Sequence, residues 1–598
     1  MKQRDNRYAA IRDYAVIGDG RTAALIARDG SIDWLCLPDL DSGSVFGALL
    51  DAECGGAFRL APTEPFEVER RYCPATNVLE TTFETERGSA RVTDAMLLPL
   101  SGLAPTRELA RRIEGLSGAV PISWRVEPRF GYGRDRTRIG DRGGIPVASA
   151  GSDAVAVLAF DAGEPRSGRD AVEGEVVVRE GSKALLALSI SHGDPLVFPR
   201  RAEIELRLEQ TLGFWREWAE GRRYAGPWRD AVLRSALALK LLIHAPSGAI
   251  AAAATTSLPE ELGGVRNWDY RYSWIRDSSA SLDALIGLGC PREAESFFWW
   301  LMHASQLTHP RVKVLYRLNG GTRVPEYELA LAGYEGSRPV RVGNAAAPQQ
   351  QLDVYGHLLQ TAWLFAEAGG RLSADIASRL AKTADLVASI WEREDSGIWE
   401  VRGQARHFTE SKMMCWVGLD RACRLAAAGA IPSDTAAQWR AQANAIRGFV
   451  LERCWSTDRG GYMRFPGAAE TDAAILLPVL LGYGAETDQP RLVSTVQNIR
   501  NELGSGPLLR RYRGEDGLPG VEGAFLACSF WLVDALARLG QSEQAAELME
   551  ELVGLSNDVG LYAEEIDPES GDFLGNLPQG LVHLALVNAA VTLEEAAA

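Results

Sequence analysis

RAEIELRLEQTLGFWREWAEG, residues 201–221, is where the hydrophobic period of this chain changes. The stretch reads as a helix joining two unlike halves. Upstream, between Tyr14 and about residue 200, apolar residues alternate or cluster in short runs: YAVIGD, TAALIAR, IDWLCL, FEVERRY, VLETTFET, ARVTDAM, VPISWRVEP, AVAVLAF, EVVVRE and ALLALSIS. Each has the composition of a strand, and Asp29-Gly30 between two of them is a tight-hairpin signal. About a dozen strands without a convincing long helix predict an antiparallel β-sandwich, a super-β-sandwich over residues 1–200 with residues 201–226 as linker.

Downstream, from Pro227 to the end at residue 598, the period is helical. Helices are expected at roughly 227–243, 271–289, 291–307, 348–368, 373–392, 409–428, 433–456, 471–481, 489–503, 520–540, 541–554 and 578–596. Links after the odd-numbered helices of this series run to roughly 14–40 residues and those after the even-numbered ones to roughly 0–7. In a closed ring of helical hairpins, alternate connections fall at opposite ends, so every long link gathers at one end. This alternation predicts an (α/α)6 barrel over residues 227–598. An α-solenoid is the competing architecture, but no fixed-period repeat supports it.

Bulk properties narrow the partners. A net charge of −16 disfavours nucleic acid and is indifferent to a neutral substrate. The polar opening MKQRDNRYAAIRDYAV has no apolar core of a secretion signal, and apolar runs such as LLPVLLGYG are too short to span a bilayer. Eight scattered cysteines without a CxxC pair read as reduced thiols, so a cytoplasmic location is expected, with no membrane partner. Seven histidines without metal spacing predict no metal, and no cofactor is expected.

Chemistry concentrates in three long links. The first ends in Arg266-Asn267-Trp268-Asp269-Tyr270-Arg271-Tyr272-Ser273-Trp274-Ile275-Arg276-Asp277. Aromatic faces and planar charged groups suit the C–H faces and paired hydroxyls of a sugar; a salt-bridged helix start is the plainer reading. A later link holds Ser396-Gly397-Ile398-Trp399-Glu400-Val401, where desolvation beside tryptophan can raise a carboxyl pKa as a general acid requires. The last holds Leu561-Tyr562-Ala563-Glu564-Glu565-Ile566-Asp567 and Gly575-Asn576-Leu577-Pro578-Gln579. Taken singly, either link is a solvated acidic loop; two converging on one face favour a site.

These motifs resemble glycoside hydrolase family 15, the glucoamylase family, in its bacterial glucoamylase- and trehalase-like branch. The likeness spans most of the chain through Ile11–Ser42, Arg266–Asp277, Gly333–Ala346, Ser396–Gly403, Asp516–Leu532 and Leu561–Gln579. It implies the same sandwich and barrel, and cofactor-free hydrolysis of an α-glucoside with inversion. By the resemblance, Glu400 is the general acid and Glu564 the general base. Glu565 stands where other branches carry glutamine and is the alternative base. Trp274, Arg276 and Asp277 match the motif that grips the nonreducing glucose, Trp399 flanks the acid, and Arg338 and Arg511 are further sugar contacts. The carboxyls of an inverting pair lie about 6.5–9.5 Å apart.

The expected activity is exo-hydrolysis of small α-glucosides, either maltodextrins or isomalto-oligosaccharides, with α,α-trehalase as the alternative. An inverting disaccharide phosphorylase needs no base, and a non-catalytic sugar-binding protein needs neither glutamate.

Overall fold

The computed structural model describes residues 7–98, 107–514 and 516–597. Residues 1–6 and 99–106 of the segment expected as sandwich therefore lie outside the described residues.

The first half is antiparallel β-structure. Strands Tyr14–Gly18, Ala23–Ala27 and Ile32–Cys36 form a meander, its second turn made at Asp29-Gly30, where Gly30 takes φ +84°. A β-carbon there would stand 2.4 Å from the Leu60 carbonyl oxygen, so only glycine closes this turn. One strand, Arg107–Val126, serves both layers. Its first half pairs with Gly88–Leu97 and Lys183–His192, and its second half with Phe58–Pro62 and Val172–Arg179. The sequence reading found only its end, VPISWRVEP. The rest, RELARRIEG, carries charges on inward positions, with Arg111 fully buried against Asp94 at 2.8 Å. A buried ion pair breaks the alternation on which strand recognition depends.

The second half is helical: α1 Arg201–Glu220, α2 Arg229–Leu242, α3 Ser278–Gly287, α4 Pro291–Gln306, α5 Asp353–Glu367, α6 Ala374–Ile390, α7 Thr409–Ala427, α8 Ala436–Phe449, α9 Leu476–Leu480, α10 Gln489–Leu503, α11 Leu526–Arg538, α12 Ser542–Val553 and α13 Gly580–Ala597. Six of them close a ring, with α3 packing on α5, α5 on α7, α7 on α9, α9 on α11, α11 on α13 and α13 on α3. Around it α2 packs on α13, α4 on α3, α6 and α8 on α7, α10 on α11, and α12 on α11 and α13. The (α/α)6 arrangement follows. Inner helices meet neighbours on both sides and are buried on nearly every face, as in α5, α7 and α11. Helix α13 is long and apolar enough to cross a membrane, and its place in the inner ring accounts for that apolarity.

The long connections are 243–277, 307–352, 391–408, 450–475, 504–525 and 554–579; each leads into an inner helix. Several helix starts lie later than expected. Helix α3 begins at Ser278 rather than 271, because Ser273–Trp274 pairs as a strand with Leu315–Tyr316. Helix α11 begins at Leu526 rather than 520, since Ala524–Phe525 pairs with Glu565–Ile566. Short strand pairing competes with helix at these loop ends, and motif residues stand on the strands.

The β-half braces two of these connections. Arg271, fully buried, holds Asp269 at 2.7 Å and donates to the Ser42 carbonyl at 2.6 Å. The Trp34 indole donates to the Ala254 carbonyl at 2.9 Å, and Asn557 to the Tyr14 carbonyl at 2.9 Å. The first and last long connections are thus fixed to the sheet that precedes them in sequence.

Candidate active site

A cavity opens at the loop end of the barrel. Its charged and hydroxyl lining includes Glu400, Glu564, Glu260, Arg511, Tyr270 and Arg276, with Trp268, Trp399 and Tyr512 as aromatic walls. Glu400 comes from connection 391–408 and Glu564 from 554–579. These are the third and sixth loops of a ring of six, so the two carboxylates reach the cavity from opposite sides of the barrel.

Glu400 is held in a left-handed conformation, φ +59°, which is sterically costly for a residue with a side chain. The amide of Glu400 donates to the Gly397 carbonyl at 3.1 Å, and Gln349 donates to the Glu400 carbonyl at 3.1 Å. These bonds turn the carboxyl back towards the first connection. There Oε1 accepts the indole N–H of Trp274 at 2.6 Å and lies 3.7 Å from Arg276 Nη1. Burial raises the pKa of Glu400, while Arg276 and the Trp274 bond act in the opposite direction. Trp399 beside it points to Asp472, its indole donating at 2.8 Å, and stacks on Trp531.

Glu564 is almost wholly buried and also has its pKa raised, chiefly by that burial, with Arg511, Tyr270 and the Asn576 amide opposing. Gly575, at φ +73°, leaves the space it occupies: a β-carbon there would stand 2.5 Å from Glu564 Oε2. Glu565 does not line the cavity. It belongs to the strand Glu565–Ile566, and its carboxylate accepts the Gly523 amide at 2.8 Å and meets Arg511 at 3.2 Å. Adjacent residues of an extended chain point to opposite sides, which separates the two glutamates.

The sequence-predicted residues divide into three groups. Glu400, Glu564, Trp399, Arg276 and Arg511 line the cavity. Trp274 and Asp277 stand behind it, the first holding Glu400 and the second holding Arg276 at 2.7 Å. Arg338 is a correction. It is exposed, donates to the Ala332 carbonyl at 3.0 Å and does not line the cavity. Arg511 lines the cavity, yet its guanidinium is committed to Glu260 at 2.9 Å, Glu522 at 2.9 Å and Glu565 at 3.2 Å. Sequence reasoning missed Glu260, Glu522 and Gln349. Glu260 follows the short strand Thr256–Pro259 inside a loop, where no periodicity marks a functional side chain. Tyr270 was within reach, since it belongs to the aromatic motif.

Residues 226–591 match the model of glycosyl hydrolases family 15, and residues 5–161 match that of the trehalase-like N-terminal region. A trehalase of Mycolicibacterium smegmatis is 40% identical, over 98% of this chain and 91% of its own. One from Mycobacterium tuberculosis is 39% identical over 98% and 90%, and one from Thermoplasma volcanium 35% over 98% and 94%. A bacterial glucoamylase solved with acarbose shares the fold at a TM-score of 0.71 and 13% identity, covering 99% of this chain and 96% of its own.

Proposed function

The chain belongs to glycosyl hydrolase family 15, and from that premise we propose that it is an inverting α,α-trehalase. It is a glycoside hydrolase; the choice of substrate is the proposal. The observation that carries it is likeness over nearly the full chain to relatives each named trehalase. That favours trehalose over the maltodextrins expected first from the sequence. Aromatic walls beside a dense set of charged and amide side chains suit a polyhydroxylated ligand such as a sugar.

In the proposed reaction Glu400, protonated, donates its proton to the glycosidic oxygen. Glu564, ionised, takes a proton from a water on the opposite face of the ring. The water oxygen bonds to the anomeric carbon as the glycosidic bond breaks, giving two glucose molecules. Two features support these roles: entry from opposite loops, and the seating of Glu564 rather than Glu565 on the cavity. Trp274 and Asp277 orient Glu400 and Arg276, so catalytic geometry is fixed before substrate arrives.

Glucose release from trehalose, maltose, isomaltose and maltoheptaose tests the assignment. Trehalose is expected to exceed the others by roughly 100-fold in kcat/KM. Two glucoses per trehalose, with no glucose phosphate formed, distinguish hydrolysis from phosphorolysis. Cleavage of maltodextrins but not trehalose would replace this reading with a glucoamylase.

A further inference from the structure

Asp353, His357 and Glu410 lie one layer beneath the loop that carries Glu400. Asp353 opens α5, His357 stands one turn later, and Glu410 is in the first turn of α7. One ligand atom from each lies within 4.8 Å of the others, and all three residues are buried. Among the described residues, neither carboxylate oxygen of Asp353 has a hydrogen-bond partner, nor do Glu410 Oε1 and His357 Nε2. Asp395 is fully buried close by, with Oδ2 on the Leu352 amide at 2.8 Å and Oδ1 without a partner among the described residues.

Buried oxygens without donors are costly, and carboxylates together in a low-dielectric interior require a cation or protons. The nearby protein cations are committed elsewhere. Lys412 Nζ donates to the Trp391 carbonyl at 2.7 Å and to the Arg393 carbonyl, and Arg276 holds Asp277 at 2.7 Å. The N-termini of α5 and α7 offset only part of the negative charge. A second carboxylate group, the buried Glu260 and Glu565 with the half-buried Glu522, shows the contrast: Arg511 sits among all three.

We propose that Asp353, His357 and Glu410 bind a divalent first-row transition-metal ion, with Asp395 beside it. One imidazole nitrogen with carboxylate oxygens suits manganese or zinc better than an all-oxygen calcium site. The Ser279 hydroxyl engages His357 Nδ1 at 2.8 Å, fixing the ring and leaving Nε2 as the coordinating nitrogen. The ion is structural. It pins the starts of α5 and α7 and, through Asp395, the base of the 391–408 loop, which closes where Asp395 pairs with Arg406.

Full-length protein stripped with a chelator and titrated with Mn²⁺ tests the site, read by elemental analysis, electron paramagnetic resonance and Tm. About one tightly bound ion per chain is expected, raising Tm by several degrees. Asp353→Asn and His357→Gln should each abolish that rise. Glu410→Gln is the third probe should either fail to fold. No stoichiometric uptake of Mn²⁺ or Zn²⁺ by the stripped wild type would overturn the proposal. So would an undiminished rise in all the folded variants.

Discussion

The indole N–H of Trp274 donates to Glu400 Oε1 at 2.6 Å, across 126 residues of sequence. The bond joins the first long connection of the barrel to the third. It aims the carboxyl of Glu400 and, because it favours the ionised form, restrains its pKa.

Trp274→Phe removes that bond while keeping an aromatic ring. A hydrogen bond to a charged group is worth about 1.5–3 kcal/mol, so kcat is expected to fall roughly tenfold or more. The sign of the pH effect follows from the acid role. Losing a donor to the carboxylate raises the pKa of Glu400, so the alkaline limb of the pH–rate profile moves to higher pH. A stopped assay of glucose release across pH checks both; an alkaline limb moving downward contradicts the acid role.

Glu400→Gln and Glu564→Gln each preserve shape and remove proton transfer. Each is expected to lower kcat by roughly 100-fold or more, with circular dichroism unchanged. Wild-type turnover in either variant would exclude that residue.

The acid limb reports Glu564 together with its neighbour Glu565. Burial raises both pKa values, so the base form of Glu564 is lost at higher pH than for an ordinary glutamate as the solution is acidified. Glu565→Gln keeps the shape of the side chain behind Glu564 and should retain kcat, with the acid limb still set by Glu564. Loss of turnover at every pH would identify Glu565 as the base instead.

Inversion has a direct signature on trehalose. The attacked ring is released as β-glucose and the leaving ring keeps its α configuration, so equal amounts of the two anomers should appear first. Proton NMR within the first minute, before mutarotation, reads this. Two α-glucoses would mean retention and a different mechanism.

Gly575→Ala tests the seating of Glu564 without touching its chemistry. The new methyl would meet Glu564 Oε2 at 2.5 Å, at a backbone angle that disfavours any side chain. We expect kcat to fall about tenfold or more, with KM changed less, since the proposed general base is displaced while the aromatic walls remain. Unchanged kcat would show that Glu564 tolerates displacement and is not the base.

The sequence by itself determined the fold class and the alternating connections. Periods of two and of 3.6 residues are local properties, and the 201–221 stretch marks where one gives way to the other. Its long links drew attention to Glu400 and to the Glu564-Glu565 pair, and the resemblance to the family implied the acid at Glu400 and the base at Glu564. Only the tertiary structure separated Glu564 from Glu565, since which of two adjacent side chains faces the cavity depends on strand pairing with Phe525 and Leu574. Tertiary structure likewise put Arg338 at the surface, turned Trp274 and Asp277 into supports for Glu400 and Arg276, and brought Glu260 into the cavity. Those outcomes rest on contacts between connections far apart in the chain. A hydrogen bond or a buried ion pair across such distances leaves no period in the sequence, and so it becomes visible only once the ring has closed.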